Sequence, residues 1–218
     1  MSWALGETRA LALKAARGAG MAWGLAEEAS EAVVWLQSRG LPGVPALCRY
    51  LSAYQLQKPL LLKWTGIQHE DNTIPYCPLT IGTAISDEAI TIPSDVSTGI
   101  SLGLIRQPIL LLPFISASLP AGYGLYVGRT FISVYLGTEK LSSYLDLPKA
   151  LLADEAECFI RPTRKSPPNF KLKVPPLRVP DCYGGCINVF NTFAGKTYAP
   201  STEHSRSTGA GANSIDDD

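Results

Sequence analysis

Net charge is missing from this chain. Nineteen Lys and Arg side chains balance nineteen Asp and Glu, so no electrostatic footprint for a phosphate backbone exists and nucleic-acid binding is not expected. Charge of either sign is also scarce, at 17% of residues, against about 25% in an ordinary globular protein. Much of the surface is then apolar or merely polar, which favours self-association, and a homo-oligomer or a partner protein is expected. Long hydrophobic runs are absent too. The longest, Ile109 to Leu119, is broken by Pro113 and is too short to cross a bilayer, so no membrane role is expected. The first twenty residues lack the basic and then apolar layout of a secretion signal. Cysteine is sparse and odd in number, five in all at 48, 77, 158, 182 and 186. That is a poor disulfide framework, and a reducing, cytoplasmic setting is the expectation. No internal repeat and no sharp shift in composition divides the 218 residues, so one domain is expected over 1–218.

What is present changes along the chain. Leu5 to Arg17 is rich in Ala, Leu and Lys, strong helix formers. "GAG" at 18–20 interrupts, and "MAWGLAEEASEAVVWLQSR" resumes a helix until Gly40. A third helix is predicted over 45–57, ending before Pro59. Then "LLLKWTGI", "CPLTIGTAIS", "ISLGLIRQPILLLPFISASL" and "LYVGRTFISVYLG" read as strands: short β-branched or aromatic runs cut by Gly and Pro. A slip in alternation near Gly128 and Arg129 predicts a bulge. Residues 145–157 read as a helix, "CFIRPTRK" as a strand, and 161–180, with six prolines, as an extended surface arm. Residues 186–193 read as a short strand or helix. Helices first and strands later predict an α+β fold, N-terminal helices packed on a mostly antiparallel sheet. Its parts are a helical 1–58, a mainly β 59–193 and a Gly-rich tail at 194–218.

Several short motifs point to chemistry and fail on context. "GISLG", Gly99 to Gly103, has the form of a nucleophile elbow with Ser101 at its centre. The elbow needs a following helix, and Pro108 with a leucine run follows instead. "AGKT" at 194–197 imitates the end of a phosphate loop, but Phe190 stands where its first glycine belongs. "GAGMAWG" at 18–24 has dinucleotide-like glycines preceded by a helix, not a strand. Cys182 and Cys186 in "CYGGC" are too widely spaced for a redox pair and lack two further ligands for zinc. His69 reads as a solvated loop residue. No metal is assigned, and no cofactor.

The helix after "GAG" is unusual. Wound at about 100° per residue, it collects Ala22, Leu25, Ala29, Ala32, Val33 and Leu36 on a buried stripe. Gly20, Gly24, Glu27, Glu28 and Glu31 gather opposite, flanked by Trp23 and Trp35. Carboxylates at 27 and 31 stand one turn apart and repel by about 0.2–0.5 kcal/mol unless something compensates. An arginine from elsewhere, a divalent cation or plain water could do so. The tail "YAPSTEHSRSTGAGANSIDDD" offers Arg206, small hydroxyls and glycine-permitted bends, the make-up of an anion nest.

The blocks "KAARGAGMAWGLAEEASEAVVWL" and "YAPSTEHSRSTGAGA" resemble a family of bacterial proteins of similar length whose function is uncharacterised. The resemblance implies that both ends act as one unit. It supplies no activity, cofactor or catalytic residue, and assigns no role to Asp216–Asp218. The side chains themselves predict a small anionic ligand between the N-terminal helices and the tail. Arg17, Gly18, Gly20, Ser205, Arg206, Gly209 and Gly211 would bind it, and Glu27, Glu28 and His204 are candidate catalytic groups. The alternative is a non-catalytic interaction module docking a partner on the Trp/Gly helix face. Deleting 203–218 should remove ligand binding or stability on the first reading.

Overall fold

A computed structural model describes residues 3–60, 74–90, 99–119, 123–128, 130–134, 141–143, 152–162 and 178–198. Helix α1 (Leu5–Gly18) starts where the Glu7 carboxylate accepts the Ala4 N–H at 2.9 Å. Glu7 in its first turn and Arg17 in its last complement the helix dipole. Gly20, at φ +93°, closes it in the left-handed conformation, and the Met21 N–H returns to the Ala16 carbonyl at 3.1 Å. Helix α2 (Trp23–Gln37) and helix α3 (Gly43–Leu56) follow, as the sequence predicts. Small side chains do the packing: Ala12, Ala15 and Ala16 of α1 and Ala26 and Ala29 of α2 are fully buried. They allow close helix approach, while Val33, Leu36, Leu47 and Leu51 fill the space beside them.

Three further helices stand among the strands. Helix α4 (Pro78–Ser86) occupies "CPLTIGTAIS", which the β-branched composition had assigned to a strand. Pro78 is well suited to its first turn, and Gly82 leaves room for the Phe114 ring to lie directly on the helix. The leucine run is likewise not a strand. It forms a 3-10 turn over 108–111 and helix α5 (Leu112–Ser118), with Pro113 near the start, where no helical N–H is required. Short, mostly buried apolar runs carry too little period to separate strand from helix. Helix α6 (Gly184–Gly195) ends the described chain and packs on α1 and α3.

The strands are β1 (Trp3–Ala4), β2 (Ile100–Arg106), β3 (Tyr123–Val127), β4 (Thr130–Val134), β5 (Leu141–Ser143), β6 (Glu155–Pro162) and β7 (Arg178–Val179). β2-β6-β3-β4-β5 form an antiparallel sheet, with Ile105 opposite Ala156 and Leu125 opposite Ile160. The slip expected near Gly128 is a hairpin turn, with Val127 paired to Thr130. The fold is thus α+β, with the β-rich stretch holding α4, α5 and most of α6 as well as strands. Of the helix expected over 145–157, residues 155–157 lie in β6 and 145–151 lie outside the described residues. The middle of the expected arm, 163–177, does too.

Arg106, 5% exposed, ties the helices to the sheet. It donates to the Gln57 carbonyl at 2.8 Å and to Glu155 Oε1 at 3.0 Å. The next residue, Gln107, adopts φ +48° and ends β2; its N–H and Nε2 both donate to Asp154, at 2.7 Å each. No described helix is long and apolar enough to cross a membrane.

Candidate functional site

The unusual face of α2 divides into two environments. On the α1 side, Arg9 donates to Glu31 through Nε at 2.6 Å and also through Nη2. This is the compensating arginine that the carboxylates call for, supplied by the neighbouring helix. Glu27 is exposed and accepts the Trp23 indole N–H at 2.9 Å. Arg17 donates to the Met21 carbonyl at 2.5 Å and stacks over Trp23, 5.2 Å from the ring centroid. Gly18 faces the backbone of α6, where a Cβ would collide with the Phe193 carbonyl. Arg17, Gly18 and Gly20 are thus brought together at one turn. His204, Ser205, Arg206, Gly209 and Gly211 lie outside the described residues, as do His69 and the final aspartates.

On the other side, α2 forms one wall of a cleft of about 540 Å³ whose remaining walls are α4 and α5. Glu28, Glu31, Trp35 and Arg39 line it from α2 and its end, Thr83 and Asp87 from α4 and its end, and Phe114 from α5. Glu28 is half-buried. Burial first, then the Asp87, Glu31 and Glu27 carboxylates, push its carboxyl above the ordinary value of 4.5. Arg39 lies over the Trp35 ring at 4.0 Å and donates to the Trp35 carbonyl at 3.2 Å and Ser38 Oγ at 3.1 Å.

This cleft can therefore do two things chemically. A carboxyl with a raised pKa exchanges protons closer to neutrality than an ordinary glutamate, and the grouped negative charge attracts a cation beside the Trp35 and Phe114 rings. Of the carboxylates singled out in the sequence, the structure brings Glu28 and Glu31 into the cleft. It adds Asp87, Arg39 and Phe114, which sequence reasoning missed. Arg39 was legible as a cation one turn beyond Trp35. Asp87 and Phe114 carry no local sign of their role, since only the packing of α4 and α5 brings them there. Among the described residues no group of three or more His, Cys, Asp or Glu side chains could hold a metal ion.

The motifs set aside on context stay apart from this site. Ser101 lies within β2, where its Oγ accepts the Gly103 N–H at 3.3 Å. Lys196 follows the end of α6 and lies 5.0 Å from the Phe193 ring centroid.

The chain ends do meet as far as residue 198. β1 pairs with β7, α6 lies on α1, and the Lys14 ammonium stands over the Tyr198 ring at 5.5 Å.

Residues 3–76 match the model of a family described as "Protein of unknown function (DUF3726)". The match takes in α1, α2 and α3 and stops just before α4, so it covers the α2 wall of the cleft and the first of the two resembling blocks. No curated protein matches the chain, and no solved structure does.

Proposed function

We propose that this chain binds a small molecule carrying a positively charged nitrogen on an apolar body, in the cleft between α2, α4 and α5. One observation carries the reading: Glu28 sits half-buried beside Asp87 and Glu31, its carboxyl raised by burial and by its acidic neighbours. Only Glu31 among these carries a described ion pair, to Arg9. A cationic group placed there relieves repulsion that the protein otherwise carries. Trp35 and Phe114 supply the apolar contact. The charge is opposite to that expected of the ligand from the sequence.

Thermal shift with a panel of primary and quaternary amines tests this reading. A ligand at one hundred times its Kd stabilises by about 2.7 kcal/mol. Glu28→Gln and Asp87→Asn should remove that shift, while the exposed Glu88→Gln should keep it. If no amine shifts the wild type, or the variants shift as it does, the cleft is not an amine site.

The anionic ligand at the joined ends is the second reading. It is favoured by the convergence of β1 with β7 and by the packing of α6 on α1, where Gly18, next to Arg17, meets the Phe193 backbone. Glu27, Glu28 and His204 as catalytic groups, and Ser205, Arg206, Gly209 and Gly211 as ligand contacts, belong to that proposal. Phosphate or carboxylate shifts that vanish in Arg17→Ala and on deletion of 203–218 would select it. Trp23 is 59% exposed, and co-purification with a partner protein, lost in Trp23→Ala, would select the interaction module instead.

A further inference from the structure

We propose that Arg49, Gln107 and Asp154 form a binding site for a free α-amino acid, where α3 packs against the 3-10 turn that follows β2. The site is marked by hydrogen bonds left unmade. Arg49 Nε, Arg49 Nη2 and Gln107 Oε1 are buried, and none has a hydrogen-bond partner among the described residues. Buried polar atoms are nearly always satisfied, so a group of orphans in one place points to a ligand that supplies the missing partners. The neighbouring Arg106 shows the contrast, since the Gln57 carbonyl and Glu155 occupy its guanidinium.

Arg49 and Gln107 converge on Asp154, the residue just before β6. Gln107 Nε2 donates to Asp154 Oδ1 at 2.7 Å, and Arg49 Nε stands 3.6 Å from the same oxygen. The second distance makes an ion pair but not a hydrogen bond. The Gln107 amide cannot turn round, because its carbonyl oxygen would then face the carboxylate. Gln107 is 2% exposed, and its backbone is held at φ +48° with its N–H on the Asp154 carbonyl. A side chain in that conformation is strained, and such residues cluster where ligands are clamped.

The orphaned atoms define what fits. Nε and Nη2 form the side edge of a guanidinium, whose parallel N–H groups take both oxygens of a carboxylate. Gln107 Oε1 requires a donor, and the Asp154 side chain, 78% exposed, offers a negative charge beside it. An ammonium group satisfies both. Carboxylate and ammonium on one carbon are the main chain of an α-amino acid. Its zwitterion adds no net charge where Arg49 and Asp154 already balance, and it replaces a long ion pair with charge-assisted hydrogen bonds at both ends. The Arg49 side chain is 41% exposed, so its swing uncovers the buried edge to an entering ligand.

Thermal shift of the full-length protein with each standard α-amino acid, its carboxamide and its N-acetyl derivative tests the site. At least one free amino acid should raise the melting temperature. Its carboxamide and N-acetyl forms, each lacking one of the two charges, should not. Calorimetry should show roughly a hundredfold weaker binding in Arg49→Lys, which loses the paired donors, and in Asp154→Asn. Glu88→Gln should bind as the wild type does. The proposal is overturned if no free amino acid shifts the wild type, or if binding is unchanged in both Arg49→Lys and Asp154→Asn. A shift that the carboxamide matches also overturns it, and assigns the ligand's amine to the cleft beside Glu28 instead. The derivatives tested on the wild type decide the matter even where a variant folds poorly.

Discussion

At the scale of single residues, buried charge separates two kinds of polar group. Arg106 is satisfied: the Gln57 carbonyl and Glu155 occupy its guanidinium in the interior. Replacing it with Ala strips Glu155 of its partner and unties α3 from the sheet. Breaking a buried pair costs about 3–5 kcal/mol. Since Glu155 is 38% exposed, chemical denaturation should read about 3 kcal/mol, the low end of that range. Glu28 is the opposite case. Its folded pKa is raised, so the native state holds its proton more tightly than the unfolded state does. Stability therefore falls as pH rises from the ordinary value near 4.5 through the raised one, and is flat above that. Glu28→Gln should be more stable than wild type at neutral pH, with the difference vanishing below pH 4. Melting temperatures across that range check the sign; an equal loss at every pH would contradict it.

At the scale of elements, close approach decides what each helix tolerates. Gly18 and Gly82 face backbone and ring atoms that leave no room for a methyl group. Gly18→Ala should push α6 away from α1 and cost about 1–3 kcal/mol, as overpacking does. Gly82→Ala should do the same between α4 and α5 and also deform the cleft. The pair of variants is informative together. Urea denaturation should show similar losses, whereas amine binding should suffer only in Gly82→Ala. The Arg9–Glu31 bridge joins α1 to α2 at the surface, with both side chains more than half exposed. Arg9→Ala should cost under about 1 kcal/mol by the same measurement, as exposed pairs usually do. Helices α1, α2 and α3 were legible because each carries a helical period, strong formers and a Gly or Pro stop. Helices α4 and α5 were not, because each is short, its composition is β-branched or leucine-rich, and its less buried face is marked only by residues such as Thr80, Thr83, Ser116 and Ala117, which suit a strand or turn as well.

At the scale of the whole molecule, the two ends of the described chain act as one unit. Val179 of β7 is fully buried, and it pairs with Trp3 of β1. Val179→Asp should destabilise by several kcal/mol, because it buries a charge with no partner (on the order of 3 kcal/mol or more). β1 with β7 and α6 with α1 bring together stretches near the two ends, while the second of the two blocks of unusual composition lies outside the described residues beyond Tyr198. The contribution of the tail beyond Tyr198 is a matter for the deletion of 203–218.

The sequence by itself determined the order and type of the N-terminal helices, the acidic face of α2 and a strand from Cys158 onward. Each of these is written in local periodicity, stop residues and charge spacing, which short-range physics reads directly. Only the tertiary structure decided that Arg9 answers Glu31 and that Asp87 and Phe114 line one cleft with Glu28. Those relations join residues far apart in the chain, and packing alone creates the shared space in which burial and charge alter their chemistry.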